Sequence, residues 1–502
     1  MSSDVDRPPA HYTPAAKLPL ELLEEIIQHA SLLKYYTYSP GGSYIARSFQ
    51  LRLLAISRRW RHIVLASHRL WAHLHVSCHQ EDSDGWDTMA DIIHTWLSRS
   101  GTLPLDITVI LPQTPGGGTR SRIMDVLFAF APRWRAMEMT LAGWNDIPVI
   151  LPTESWPQTL PLLGKLVLHG SVEFTVAGNH RTPGNQRTLW PKLRELRLGH
   201  ERAVITGDLQ FFGHLSVLSL LLHQPSEILL VLMHCPALEH LGVDLDAGWA
   251  ADLHASWERQ RLEIHIRLAN LLSLDLGHHG VNAISSNLTV PRLGTLHVVN
   301  LQHHDIETLG QLVERSDCPL AQLRISYDTE NYPFRGDGWI MPLLPLFASL
   351  PTTVAVTLDC RDWAPDDFLI PANAILGDPN LGSGLKRIPS LTLEGVYYPE
   401  TPDSDERAVP IFSLLFALCR GSGFPGMQNL TRPNDSMKSD EDFSNRRLRH
   451  VGLHLKGLVL QEQVVHQVSE MLELNVTQRK RRTYAYSSWD DDSESELEDD
   501  DD

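Results

Sequence analysis

The sequence is poor in three things: paired cysteines, basic charge and uninterrupted apolar runs. Its five cysteines, at 78, 235, 318, 360 and 419, are odd in number, far apart and never arranged as C-x-x-C. That argues against a disulfide framework and fits reduced thiols in a cytoplasmic or nuclear protein. Lys and Arg number 43 against 61 Asp and Glu, a formal charge of −18, which disfavours bulk nucleic-acid binding. The most apolar region, "LSVLSLLLHQPSEILLVLMHC" (215–235), is interrupted by His-Gln-Pro-Ser-Glu and cannot span a bilayer. The opening "MSSDVDRPPAHYTPAAK" has no secretory character. Neither a nucleic-acid nor a membrane partner is expected.

Catalytic signatures are also missing. There is no G-x-S-x-G, no H-E-x-x-H and no Cys/His spacing suited to zinc. "PGGGTRSR" (115–122) and "GDPNLGSGLK" (377–386) lack a phosphate-loop lysine in its required place and read as turns. His278-His279 and His303-His304 read as solvated turn histidines, since adjacent strand residues face opposite sides and do not chelate. The carboxylates of "DCRDWAPDD" (359–367) have no second element to work with. Cys235, Cys318 and Cys419 each end an apolar helical run and act as small hydrophobes. No catalytic, metal or cofactor-binding residue is assigned, and the protein is expected not to be an enzyme.

What is present begins with "KLPLELLEEII" (17–27), behind a polar lead over 1–16. Pro19 suits a first helical turn, and Glu21, Glu24 and Glu25 suit the positive end of the helix dipole. Leu18, Leu22 and Ile26 form one stripe, with Leu23 and Ile27 beside it. So short a helix needs a partner surface. After a loop marked by Ser-Pro-Gly-Gly comes "SFQLRLLAISRRWRHIVLASHRLWAHLHV". Leu53, Ile56, Trp60, Ile63 and Val64 repeat there at helical spacing, and Ser67 is a candidate cap for a short third helix with Leu70 and Trp71. A three-helix unit over 17–75 is the expectation.

Beyond it a frame recurs: "LPLLGKLVL", "WPKLRELRL", "FGHLSVLSL", "CPALEHLGV", "LANLLSLDL", "VPRLGTLHV" and "CPLAQLRI". Apolar residues stand at n, n+3 and n+5, with n at Leu163, Leu193, Leu215, Leu238, Leu271, Leu293 and Leu320. Weaker copies start at Thr353, Ile388 and Leu448. Most spacings are near the ~20–29 residues of leucine-rich repeats. Helix candidates such as "SEILLVLMHC" and "DIETLGQLVERS" fall between them. The expected fold is α/β, an irregular leucine-rich-repeat-like solenoid of strand–helix units over 76–475. Ordinary βαβ packing in a parallel sheet gives a similar pattern.

The remaining segment, 476–502, reads as a disordered tail. It opens near Arg479, Lys480, Arg481 and Arg482, a cluster of the type read by nuclear import receptors. It ends in "SSWDDDSESELEDDDD", too charged to bury a core.

Leu18-Pro19-x-Glu21-Leu22-Leu23-x-x-Ile26, followed by "LLAISRRWRHIVLASHRLWAHL" with Trp60 and Leu70-Trp71, resembles an F-box. The downstream "WLSRSGTLPLDITV", "FAPRWRAMEMTL" and "CPALEHLGV" are similar to segments of fungal F-box proteins. The loop from about Lys34 to Arg47 is longer than a minimal F-box needs. The resemblance implies a substrate receptor of a Skp–cullin–F-box ubiquitin ligase. Leu18, Pro19, Leu22 and Ile26 would then face the Skp adaptor, with Leu54 and Trp60 supporting or joining that surface. A cullin–RING ligase would be reached through the adaptor, and the repeat domain would hold a protein target. The rival reading is a leucine-rich scaffold that joins two proteins without a ligase.

Overall fold

A computed structural model describes residues 18–19, 21–23, 25–26, 44–45, 49–77, 86–112, 118–142, 149–150, 160–169, 172–176, 190–199, 204–207 and 209–222. It also describes 225–245, 264–277, 280–301, 303–326, 343, 346–347, 350–351, 353–359, 390–397, 450–456 and 475–479. The chain divides into two compact units, residues 1–326 with 349–354, and residues 327–348 with 355–502.

The first unit has helical residues at 21–23 and 25–26, then α1 (Phe49–Ile56), α2 (Arg58–Ala66) and α3 (His68–Trp71). The single Trp-containing helix expected from periodicity is broken at Ser57. That residue is extended, and its hydroxyl accepts the Trp60 N–H at 3.2 Å, capping α2. The break rotates the stripe: Leu53, Ile63 and Val64 are buried, but Ile56 is exposed. Ser67 occupies the N-cap position of α3 without a side-chain cap bond; its carbonyl accepts the Leu70 N–H instead. Trp71 anchors this region. Its indole N–H donates to the Val64 carbonyl at 2.8 Å, and its ring meets Trp96 edge-on with centroids 4.7 Å apart. Trp96 belongs to α4 (Trp86–Arg99), which packs beside α5 (Gly118–Ala129). The glycines of 115–122 therefore lead into a helix from Gly118 onward rather than forming a turn throughout.

An eleven-stranded sheet dominates this unit. Its first strands are β1 (Tyr44–Ile45), β2 (His73–Ser77), β3 (Leu105–Pro112) and β4 (Trp134–Ala142). A short β5 (Val149–Ile150) follows, then β6 (Lys165–His169), β7 (Val172–Val176), β8 (Glu195–Gly199) and β9 (Val204–Gly207). After β10 (Val217–Leu222) and β11 (His240–Leu245) come β12 (Ile266–Arg267), β13 (Ser273–Leu276), β14 (Leu288–Thr289), β15 (Thr295–Val299) and β16 (Gln322–Ser326). The order is β1-β2-β3-β4-β6-β8-β10-β11-β13-β15-β16, antiparallel only at β1–β2. The short strands pair separately, β5-β7-β9 and β12-β14. The fold is thus α/β with a mostly parallel sheet, and no described helix is long and apolar enough to cross a membrane.

The frame read from the sequence is the core. Leu163, Leu193, Leu215, Leu238, Leu271, Leu293 and Leu320 are each 0% exposed. Leu166, Leu196, Leu218, Leu241, Leu274, Leu296 and Leu323 pair position for position across successive strands. Alternation puts these side chains on one face and leaves the intervening residues on an open face. A fourth position belongs to the unit. Leu160, Trp190, Phe212, Cys235, Leu268 and Val290 lie three residues before each first leucine, are buried, and accept its N–H in a tight turn.

Helices return between strands: α6 (Pro225–Leu232), α7 (Gly280–Ile284) and α8 (His303–Ser316), with α7 packed against both others. His303 and His304, expected in a turn, open α8. From its last turn Arg315 donates to the Ser285 and Leu288 carbonyls, at 2.6 and 2.8 Å, tying one connection to the next.

In the second unit β17 (Ala355–Asp359), β18 (Ser390–Tyr397), β19 (His450–Lys456) and β20 (Asn475–Arg479) form a parallel ladder. Thr353, expected to start the frame two residues before β17, is exposed, while Val354, Val356 and Leu358 are buried. Strand structure continues to Arg479, past the boundary at 475 expected for the tail. Lys480, Arg481, Arg482 and the acidic tail lie outside the described residues.

Candidate docking surface

Eight large apolar side chains are exposed among the described residues, and four of them fall before residue 66: Leu22 (47%), Ile26 (49%), Ile56 (58%) and Leu65 (40%). The first helical piece shows why. Leu23 points into the unit at 1% exposure, so its neighbours on the other side of the helix, Leu22 and Ile26, point out. The two are one turn apart and form a single patch. Pro19 is exposed, and Leu18, Leu54 and Trp60 are half-buried. All six expected adaptor-facing residues thus keep accessible surface, Leu22 and Ile26 the most among the leucines and isoleucine.

The piece is held in place from α2. Arg59 donates to the Leu18 carbonyl at 2.5 Å, and Arg61 donates to the Leu54 carbonyl at 3.0 Å. These bonds join three separate segments into one surface without using the apolar side chains. Removing the rest of Leu22 and Ile26 from water is worth roughly 1 kcal/mol apiece, since about half of each side chain is already covered.

Charge adds a feature that the pattern of leucines does not reveal. Residues 26–80 contain no Asp or Glu, yet they carry seven Lys and Arg. Arg58, Arg59, Arg61 and Arg69 are exposed, and Arg59 reaches the segment that carries the apolar patch. In a chain of charge −18 this is a local basic surface, suited to an acidic partner.

The open face of the sheet carries polar groups in register. Arg197 donates to Glu195 at 2.8 Å, with Lys165 on the same carboxylate at 3.2 Å. Asp106 lies between His73, at 3.2 Å, and Arg135, which donates through two nitrogens. Burial alone would raise this carboxyl, but hydrogen bonds and charge from His73 and Arg135 hold it down at about 2. Arg194 and Glu239 stand just before β8 and β11, outside the strands.

Cys235 and Cys318 are buried free thiols, as expected for small hydrophobes. Burial pushes the Cys235 thiol up to about 12, which makes it inert as a nucleophile. Among the described residues no group of His, Cys, Asp and Glu is placed to hold a metal ion. No protein-family model matches the chain, and no curated protein matches it either.

Proposed function

We propose that this chain is the substrate-recognition subunit of a Skp–cullin–F-box ubiquitin ligase. In this reading the helices up to Trp71 are an F-box, and the repeated strands are a degenerate leucine-rich-repeat solenoid. The F-box holds a Skp-family adaptor, and the open face of the solenoid holds a protein target. The chain contributes proximity: a bound target's lysine meets the loaded conjugating enzyme as a neighbour at high effective concentration. The observation that carries the reading is the outward patch of Leu22 and Ile26 on a helix anchored from within by Leu23. Among the described residues that patch stands outside the core, and the basic residues near it favour an acidic partner.

The test is a binding measurement with purified Skp-family adaptor, run beside a melting curve. Leu22→Ala with Ile26→Ala should weaken the complex about tenfold or more, as interface anchors do, while the melting temperature stays put. A parent protein with no adaptor affinity would overturn the proposal and leave the scaffold reading.

A further inference from the structure

Three side chains from consecutive strands of the open face form a hydrogen-bonded line. Asp275 on β13 is opposite His297 on β15 in register, and its Oδ1 lies 3.0 Å from His297 Nδ1. On the other side of the ring, His297 Nε2 lies 2.8 Å from the Oγ of Ser326 on β16. With the Nδ1 proton donated to Asp275, Nε2 holds the lone pair and accepts from the Ser326 hydroxyl. This is the connectivity of a carboxylate–imidazole–hydroxyl relay, which is defined by geometry and role rather than by chain order.

The backbone around Ser326 is also held in an unusual way. Asn300, directly after β15, has a left-handed φ of 53°, a conformation uncommon outside glycine. From there its N–H donates to the Ser326 carbonyl at 2.8 Å. That bond fixes the backbone beside Ser326 from the turn after β15. Ser326 itself keeps 9% of its surface, and the His297 side chain keeps 27%, on the same open face. Arg324 stands opposite His297 in register, on the same face of the sheet.

We propose that Ser326 is an activated nucleophile that accepts acyl groups from small esters, with His297 as its base and Asp275 orienting His297. The Ser326 proton passes to His297 Nε2 as Oγ forms a bond to the ester carbonyl carbon. The carbonyl–alkoxide bond then breaks, and the departing alkoxide takes that proton from His297. Water, deprotonated by His297, releases the acyl group as a carboxylic acid and restores the serine. The proposal does not depend on adaptor binding.

A fluorophosphonate probe reads the first half of this chemistry: Oγ bonds to phosphorus, the P–F bond breaks, and fluoride leaves as the serine proton passes to His297. The intact folded protein is incubated with the probe, and the adduct is located by mass spectrometry of its peptides. An adduct at Ser326, absent from Ser326→Ala, is the expected result. His297→Gln, which keeps a polar side chain but cannot act as the base, should slow labelling at least about tenfold. Asp275→Asn should slow it less. No Ser326 adduct in the native parent, while a serine hydrolase in the same tube is labelled, would overturn the proposal. So would equal labelling rates in the parent and in a natively folded His297→Gln variant. Either result would make the line a polar stitch between strands.

Discussion

Leucine behaves in opposite ways in two regions of the same unit. Across seven strand repeats of the sheet, the frame leucines and their Val and Ile equivalents are at most 2% exposed, and the second row pairs strand to strand. In the opening helices, Leu22, Ile26, Ile56 and Leu65 leave 40% or more of their surface in water. The sheet satisfies its apolar surface with its own neighbours, because each strand is covered by identical geometry on both sides. The helices do not: they are short, and among the described residues those that carry these four side chains bury only part of their apolar surface. A self-contained core and an unfinished one thus sit in one chain, and the unfinished one is the place to look for a partner.

The contrast breaks most sharply under truncation. Leu296→Ala removes a fully buried ladder side chain and should cost about 2–5 kcal/mol by chemical denaturation. Leu22→Ala should fall within about 0.5 kcal/mol of the parent, as exposed positions do. Similar losses at both sites would mean that the helical patch is part of the fold's own core. A smaller effect tests how tightly the repeats fit together. A Cβ at Gly277 would overlap the Asp244 carboxyl on the preceding strand, so Gly277→Ala should cost about 1–3 kcal/mol. Adding Asp244→Ala should recover most of that loss, because it removes the obstructing group.

Acid gives a third comparison between the ladder's apolar and ionic parts. The folded Asp106 carboxyl at about 2 is below its ordinary value of 3.8. Its contribution to stability is therefore complete above about pH 4 and is lost as pH falls toward 2. Screening at this partly exposed site limits it to about 1 kcal/mol. The parent's denaturation midpoint should drop between those pH values by more than that of Asp106→Asn. The smallest expected signal is at Cys235: with its thiol pushed up to about 12, it should stay unmodified by a thiol reagent in the native state and react once denaturant opens the ladder.

The ladder was legible because residue type and period suffice to find it. Leu163 through Leu320 needed no knowledge of what they touch. The turn residues ahead of them, Trp190 and Phe212 among them, stand at the start of the same recurring segments and share the frame. The break at Ser57 was hidden because the flanking residues satisfy one continuous helical period as well as two shorter ones. Capping of α2 by the Ser57 hydroxyl decides between them. The line of Asp275, His297 and Ser326 was hidden for another reason. Its members are 22 and 29 residues apart and become neighbours only through strand register. Writing the repeats under one another puts Asp275 and His297 at the same place in the frame, with Ser326 two places further on. The acid-free stretch over 26–80 was visible all along, but the chain's overall charge masks it.

Register also makes the open face a measure of length. Neighbouring strands lie about 4.8 Å apart, so the eleven strands of the first unit make a row of side chains roughly 48 Å from end to end, measured along the sheet. An extended peptide advances about 3.4 Å per residue, and would need on the order of 14 residues to cross it. A short linear tag could touch only a few neighbouring strands at a time. Variation in the loops between repeats changes what lies beside the row but not the row's spacing. A target that engages the whole row must therefore bring either a long unfolded segment or a folded surface of matching span.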